Sequence, residues 1–216
     1  FLDSGKTKFI QETLEDERFN DGEKTLLLLC EEGEEEYDLD KMPGDNVVVC
    51  SIEKEDLSRA RIQALLKETK AERIVVEYNG MWLLKELFDA MPRECVISQE
   101  LCFVDSNTAI TYNANMRQLM FDKLKTAEMV IFNRIPLNAD VMPFHKLVRG
   151  ANRGSNIAYE YENGYVKYDD IEDPLPFDVN ASVIEIKDID YALWFQDMMT
   201  DMQKYAGKTL KFKGIV

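Results

Sequence analysis

Residues 1–7 read Phe1-Leu2-Asp3-Ser4-Gly5-Lys6-Thr7, which is the last part of the phosphate-binding pattern G-x-x-x-x-G-K-S/T. In such a loop, backbone N–H groups surround the α- and β-phosphates of a nucleotide, the lysine neutralises phosphate charge, and the hydroxyl binds Mg²⁺. Residues 8–14 then place apolar side chains at helical spacing, typical of a helix whose N-terminus faces the phosphates. The stretch predicts that Ser4, Gly5, Lys6 and Thr7 bind nucleotide, with Thr7 as a Mg²⁺ ligand.

The two ends of the sequence bear on its completeness. A phosphate-binding loop normally begins with a glycine and follows a buried strand, and both would lie upstream of Phe1. Residues 208–216 alternate between apolar and polar side chains like the beginning of a strand. The sequence is therefore expected to be a fragment of a longer chain.

Length and charge limit the class of protein. A chain of 216 residues with 45% hydrophobic content can form one full domain and a smaller piece. Its net charge of −15, from 41 acidic and 26 basic residues, argues against a nucleic-acid-binding surface, because phosphate neutralisation needs clustered Lys and Arg. A single nucleotide can still bind locally.

Hydropathy and cysteine usage indicate where the protein works. The apolar runs are strand-sized and fall short of the roughly 20 residues of a membrane-spanning helix. The four cysteines, Cys30, Cys50, Cys95 and Cys102, lack C-x-x-C spacing and the density of a disulfide scaffold. We therefore expect a reduced, cytoplasmic setting, with the cysteines mostly buried and Cys50 as the best candidate for a metal ligand.

Strand-like apolar runs alternate with amphipathic segments along the chain. The runs occupy residues 25–30, 47–50, 73–77, 102–105 and 129–133, and helix-like stretches include residues 55–67 and 115–126. This alternation predicts an α/β fold of the P-loop NTPase type, with a mostly parallel sheet flanked by helices. Glu77, Asp105 and Asn133 end three of the runs, at the sheet edge where ligands bind in such folds.

An acidic, proline-containing stretch at residues 169–176 is typical of a linker or an exposed loop. We predict a nucleotide-binding domain over residues 1–160, an acidic linker over 161–180, and the start of a smaller C-terminal α+β module over 181–216. The last part carries a strand-like run at 181–186 and a helix-like stretch at 191–204, in which Trp194 and several methionines are expected to fill a core.

Residues 1–160 resemble the CobW-like P-loop GTPases, relatives of the hydrogenase and urease maturation GTPases. The family's opening G-F-L-G-S-G-K-T-T matches residues 1–7 apart from Asp3, and Lys8 replaces its last threonine. Its N-E-F-G-E segment is similar to residues 30–34, and its E-T-x-G segment is similar to residues 77–80. The stretch Val104-Asp105, with the helix and strand that lead to Asn133, also follows the family pattern.

The resemblance implies Mg²⁺-dependent GTP hydrolysis linked to metal trafficking or metallocentre assembly. Lys6 and Glu77 would be catalytic, and Thr7 and Glu77 would hold Mg²⁺. Asn133 would contact the base. Glu31 and Glu34 would belong to a switch-like segment, with Glu34 responding together with Glu77 to the γ-phosphate.

Two departures from the family pattern leave specificity open. The base-reading N-K-x-D becomes Asn133-Arg134-Ile135-Pro136, so proline stands where an aspartate would accept hydrogen bonds from guanine. Asp140 is a distant substitute, and the choice between guanine and adenine stays open. The family's metal-binding C-x-C-C segment is reduced to Cys50. Zn²⁺ or another transition metal would therefore find a single thiol ligand there.

The C-terminal part resembles the opening segment of YcgQ-like, permease-associated subunits, which leads into a small β-barrel. The likeness lies in residues 175–178, 191–197, 205–209 and 212–214. Together, the two resemblances imply a nucleotide and a metal-receiving protein or permease component as partners.

Two other functions remain open from the sequence. In one, the loop is vestigial and the acidic surface of a nucleotide-independent scaffold binds a partner. In the other, the protein is a metal-binding chaperone that uses Cys50 and neighbouring carboxylates. The single histidine, His145, is expected to be structural rather than a metal ligand.

Overall fold

The computed structural model describes residue 1 and residues 4–31 and 37–213. The chain divides into two compact units, Phe1–Asp169 and Asp170–Val216. The first unit contains the phosphate-binding loop and most of the regular structure. A short strand of this unit, Val166–Tyr168, falls inside the predicted linker of residues 161–180.

The first unit alternates strands and helices. Its elements are α1 (Lys6–Glu15), β1 (Thr25–Leu29), β2 (Val47–Ser51), α2 (Arg59–Thr69), β3 (Arg73–Glu77), α3 (Leu84–Ala90), β4 (Leu101–Asp105), α4 (Ser106–Asn115), α5 (Arg117–Leu124), β5 (Met129–Ile135), α6 (Met142–Ala151), β6 (Asn156–Tyr161) and β7 (Val166–Tyr168). The five predicted strands are confirmed to within about two residues.

The strands of the first unit form two sheets. One has the order β2-β1-β3, and the other has the order β4-β5-β6-β7. Neighbouring strands are parallel except for the β6–β7 pair, which is antiparallel. The predicted α/β class with mostly parallel strands and flanking helices is therefore confirmed, although the strands are divided between two separate sheets.

β1 is buried on both of its faces because it is the central strand of its sheet. Leu26 and Leu28 pack in one apolar cluster with Ile62 and Leu65 of α2. Leu27 points to the opposite face, as the alternation of side chains along a strand requires, and packs with Leu14 of α1. The run of leucines thus fixes α1 and α2 on opposite faces of the first sheet.

The second sheet has its own core. Buried apolar side chains of β4, β5 and β6 pack there with side chains of the helices α4, α5 and α6; the cluster includes Val104, Val130, Phe132, Ile157, Tyr159, Ala109, Met120, Leu124, Phe144 and Val148. The predicted helix over residues 115–126 corresponds to α5 and is confirmed, and α4, which ends at Asn115, precedes it.

A buried polar cluster fixes the end of the first unit. The Asp169 side chain is 2% exposed and accepts hydrogen bonds from Tyr159 Oη at 2.8 Å and Arg149 Nη2 at 3.2 Å. His145 Nδ1 lies 2.9 Å from the same carboxylate. These contacts tie α6 and β6 to the residue that follows β7, and His145 therefore lies in a buried structural network.

The second unit contains β8 (Val183–Glu185), α7 (Tyr191–Thr200) and β9 (Thr209–Lys211). β8 and β9 are parallel neighbours, and Trp194 packs with Ile184, Ile186 and Tyr205. The helix is shorter than the predicted 191–204, because α7 ends at Thr200 and a 3₁₀ turn follows over Met202–Tyr205. Trp194 is a core residue as expected, whereas Met199 and Met202 are exposed.

The Asp169 cluster predicts a large stability effect. Asp169→Ala should lower the free energy of unfolding by about 3 kcal/mol, because it leaves Arg149 and Tyr159 without their buried acceptor. Urea denaturation followed by circular dichroism measures the change. Asp45→Ala is the matched control, because Asp45 is an exposed carboxylate in the turn before β2. This substitution should change stability by less than about 0.5 kcal/mol. A loss of under about 1 kcal/mol for Asp169→Ala would contradict this account.

Candidate nucleotide-binding site

The turn into α1 requires glycine at position 5. Gly5 has φ 78° and ψ 18°, the left-handed conformation that side chains disfavour. A Cβ atom there would also lie 2.8 Å from Asn133 Nδ2. Gly5 directly precedes α1, and no described side chain caps this end of the helix, so its first N–H groups are the kind that bind anions at helix N-termini.

Asn133, near the end of β5, is hydrogen-bonded to this loop. Its Nδ2 donates a hydrogen bond of 2.6 Å to the Ser4 carbonyl, and Ser4 Oγ donates one of 2.6 Å to the Phe1 carbonyl. Both side chains are buried. Asn133 Oδ1 is buried and has no hydrogen-bond partner among the described residues. The sequence predicted that Asn133 contacts a base; in the structure its amide nitrogen holds the loop, and its Oδ1 is left as an unused acceptor.

Lys6 forms an ion pair with Glu31. Lys6 Nζ lies 2.8 Å from Glu31 Oε2, and the two side chains are only 13% and 10% exposed. Lys6 also donates a hydrogen bond of 2.5 Å to the Phe1 carbonyl. Glu31 follows β1 by two residues and so lies at the carboxyl edge of the first sheet. A phosphate group that approaches Lys6 would therefore compete with the Glu31 carboxylate.

Thr7 and Glu77 are in direct contact although 70 positions separate them in the sequence. Thr7 Oγ1 donates a hydrogen bond of 2.8 Å to Glu77 Oε1. Glu77 ends β3 and is 6% exposed. The structure thus brings together the two residues that the sequence predicts as Mg²⁺ ligands.

The Thr7–Glu77 pair fits the chemistry of Mg²⁺. This ion prefers oxygen ligands and is usually bound by one or two protein groups together with phosphate oxygens and water. A hydroxyl and a carboxylate beside the N-terminus of α1 provide such ligands. When bound, Mg²⁺ would neutralise part of the phosphate charge at this edge of the sheet.

Tyr37 also contacts Glu77, a contact that no sequence pattern predicts. Its hydroxyl donates a hydrogen bond of 2.5 Å to Glu77 Oε2. Burial, and then the hydrogen bond to Glu77, raises the pKa of Tyr37, so the hydroxyl keeps its proton at neutral pH. Tyr37 carries no motif that could have marked it, because the contact depends on the folded path of the chain.

Lys123 of α5 was missed as well. It is almost fully buried and donates hydrogen bonds to the carbonyls of Asn79, at 3.2 Å, and Trp82. Its Nζ lies 4.5 Å from the centre of the Tyr78 ring, and burial lowers the pKa of Lys123 to about 8. The loop that follows Glu77 is therefore held by a buried lysine.

The charged residues that follow Asn133 make structural contacts within the first unit. Arg134 has φ 55°, and its Nη1 lies 2.5 Å from Asp105 Oδ2. Pro136 is exposed just after β5. Asp140 Oδ1 accepts a hydrogen bond of 2.9 Å from the Met142 amide, so Asp140 supports the start of α6.

Cys50, predicted as a metal ligand, and Glu34, predicted to respond to the γ-phosphate, both remain untested. Cys50 lies in β2, is half-buried and packs against an apolar cluster. Within residues 1, 4–31 and 37–213, no group of three or more His, Cys, Asp or Glu side chains could hold a metal ion. Cys50 as a ligand stays a prediction, and Glu34 lies outside the described residues.

A cavity of about 260 Å³ lies at the carboxyl ends of β1 and β2. Its lining comprises Leu29, Cys30, Glu31, Ser51, Ile52, Glu53, Asn79 and Trp82. Burial, followed by the charges of Glu77 and Glu31, raises the pKa of Cys30 to about 12. The Cys30 thiol therefore keeps its proton at neutral pH.

The fold is that of an α/β protein, and its candidate site joins a G-K-T turn to a buried carboxylate beside the N-terminus of α1. The chain matches the family described as CobW/HypB/UreG, nucleotide-binding domain, over residues 1–157. It belongs to this family, which supports a nucleotide as the ligand of the site. No match was found among curated proteins or among solved structures.

No helix in the described ranges has both the length and the apolar character needed to cross a bilayer.

The Lys6–Glu31 pair predicts that Glu31 weakens nucleotide binding. Glu31→Gln should lower the Kd for GDP about fivefold in the absence of Mg²⁺, because an ion pair that contributes about 1 kcal/mol no longer competes with phosphate for Lys6. Titration calorimetry in EDTA measures this Kd. Glu53→Gln, which changes a carboxylate beside the same cavity, should leave it unchanged. A Kd for Glu31→Gln that is equal to or higher than the wild-type value would contradict the competition.

Proposed function

We propose that this protein is a Mg²⁺-dependent GTP-binding protein that hydrolyses GTP. The observation that carries the proposal is the hydrogen bond of 2.8 Å between Thr7 and Glu77. It joins the hydroxyl of the phosphate-binding loop to a buried carboxylate at the end of a parallel strand, where α/β folds bind their ligands. The family match over residues 1–157 supports the same function.

Each predicted residue has a distinct role in this proposal. The backbone N–H groups around Ser4 and Gly5 bind phosphate oxygens, and Lys6 neutralises their charge after it releases Glu31. Thr7 and Glu77 hold Mg²⁺. Glu77 also orients the attacking water, because phosphoryl transfer depends mainly on positioning and on charge neutralisation. Hydrolysis then needs no covalent intermediate on the protein.

Base recognition rests on Asn133. Its buried, unpaired Oδ1 is an acceptor that a base or a water molecule could satisfy, since buried polar atoms are rarely left unpaired. Pro136 lacks the carboxylate that would accept hydrogen bonds from guanine. We therefore expect a weak preference for GTP over ATP.

The biological setting is proposed from the family alone. Metal trafficking or metallocentre assembly, with a metal-receiving protein as partner, would follow from the CobW-like relationship. Zn²⁺ or another transition metal would then be cargo, handled through Cys50. The cytoplasmic location and the permease-associated character of the C-terminal unit also remain proposals.

The first test of the function is Lys6→Ala. This substitution should reduce GTP hydrolysis and GTP affinity by roughly 10- to 100-fold, because it removes charged hydrogen bonds that contribute about 1.5–3 kcal/mol. Phosphate release and calorimetry on the full-length protein measure the two quantities. Lys8→Ala, on the exposed side of the same helix, should behave like the wild type. Unchanged hydrolysis in Lys6→Ala would reject the GTPase assignment and favour a nucleotide-independent scaffold.

Base preference gives an independent test. Pro136→Asp should raise the ratio of GTP to ATP affinity at least about tenfold, because the new carboxylate supplies the missing acceptor for guanine. Competition binding with labelled GDP measures the ratio. Asp140→Asn should leave the ratio unchanged, since Asp140 supports the start of α6. A strong guanine preference in the wild type that Asp140→Asn abolishes would instead assign this role to Asp140.

A further inference from the structure

Both oxygens of the Glu77 carboxylate accept hydrogen bonds. Thr7 Oγ1 donates to Oε1 at 2.8 Å, and Tyr37 Oη donates to Oε2 at 2.5 Å. The oxygen that faces Thr7 is the one placed to share a Mg²⁺ ion with it. Tyr37 occupies the other oxygen and so leaves the Thr7 side of the carboxylate available.

Tyr37 is itself held in place. Its ring packs in the apolar cluster that contains Leu14 of α1 and Leu27 of β1. The following residue, Asp38, is tied to Gln11 of α1 by two hydrogen bonds: the Asp38 amide donates to Gln11 Oε1 at 3.0 Å, and Gln11 Nε2 donates to the Asp38 carbonyl at 2.9 Å. The position of the Tyr37 hydroxyl is therefore fixed by the same helix that carries Thr7.

A carboxylate cannot rotate freely about its terminal C–C bond when the oxygen that faces away from the metal site accepts a hydrogen bond. Partners of this kind orient ligating carboxylates, and their loss typically weakens metal binding by about 10- to 100-fold. We propose that Tyr37 is a positioning residue that orients the Glu77 carboxylate for Mg²⁺ binding at the nucleotide site. This inference rests on the proposed function, because it requires that Thr7 and Glu77 hold Mg²⁺.

A purely structural role for Tyr37 makes a different prediction. It would lower the melting temperature and weaken every ligand of the site together. A positioning role acts on Mg²⁺ affinity and spares the contacts that Ser4, Gly5 and Lys6 make with phosphate. The two roles are therefore separated by comparing nucleotide affinity in EDTA with Mg²⁺ affinity in the nucleotide complex.

The experiment compares Tyr37→Phe with Tyr159→Phe in the full-length protein. Each substitution keeps the ring and removes one hydroxyl that donates to a carboxylate, and Tyr159 donates to Asp169 in the second sheet's core. Calorimetry gives the affinity for GDP in EDTA and then the affinity for Mg²⁺ of the GDP-saturated protein. Tyr37→Phe should bind Mg²⁺ about tenfold more weakly, with unchanged GDP affinity in EDTA, and Tyr159→Phe should change neither affinity.

Gln11→Ala provides a second variant that leaves the tyrosine intact. It removes the two hydrogen bonds to residue 38 and should weaken Mg²⁺ binding in the same direction, also without altering GDP affinity in EDTA. This variant decides the question if Tyr37→Phe does not fold.

The outcomes separate the inference from the proposed function. Mg²⁺ affinity within about twofold of the wild-type value in Tyr37→Phe, or in Gln11→Ala where only that variant folds, would overturn the positioning role and leave the proposed function standing. A loss of GDP affinity in EDTA as large as the loss of Mg²⁺ affinity would also overturn the positioning role, because such a loss would indicate general damage to the site. A wild-type protein that binds no GDP with or without Mg²⁺ would reject the proposed function and this inference together.

Discussion

The arrangement of the site depends on the hydrogen bonds to the Glu77 carboxylate. A buried carboxylate is costly unless donors satisfy it, and here the donors are Thr7 and Tyr37. Thr7 belongs to the first turn of α1, while Glu77 ends β3. The contact therefore fixes the N-terminus of α1 at the carboxyl edge of the first sheet, and it joins the loop's hydroxyl to an acidic strand end.

The second sheet constrains the same loop from the other side. Asn133, at the end of β5, donates to the Ser4 carbonyl and crowds Gly5 so closely that a side chain would not fit. Glu31, beyond the end of β1, pairs with Lys6. Charged and polar groups from three strand ends thus converge on one turn. Residues far apart in the sequence are thereby brought together in one place.

Much of this could be predicted from the sequence because its signals are local. The G-K-T triplet and the apolar spacing after it specify a loop and a helix, and the apolar runs specify parallel strands with polar ends. Glu77 and Asn133 were found in this way. Tyr37, Lys123 and Asp169 were not, because each depends on partners that only the folded chain brings near. The division of the strands into two sheets and the exposure of Met199 and Met202 are likewise set by tertiary packing.

The proposal that the contact between Thr7 and Glu77 marks a Mg²⁺–nucleotide site is tested by titration calorimetry of the wild-type protein with GTP, ATP, GDP and ADP, each with Mg²⁺ and in EDTA. We expect nucleotide binding that Mg²⁺ strengthens, more for the triphosphates than for the diphosphates. Absence of binding under all of these conditions, or binding that Mg²⁺ does not affect, would contradict it.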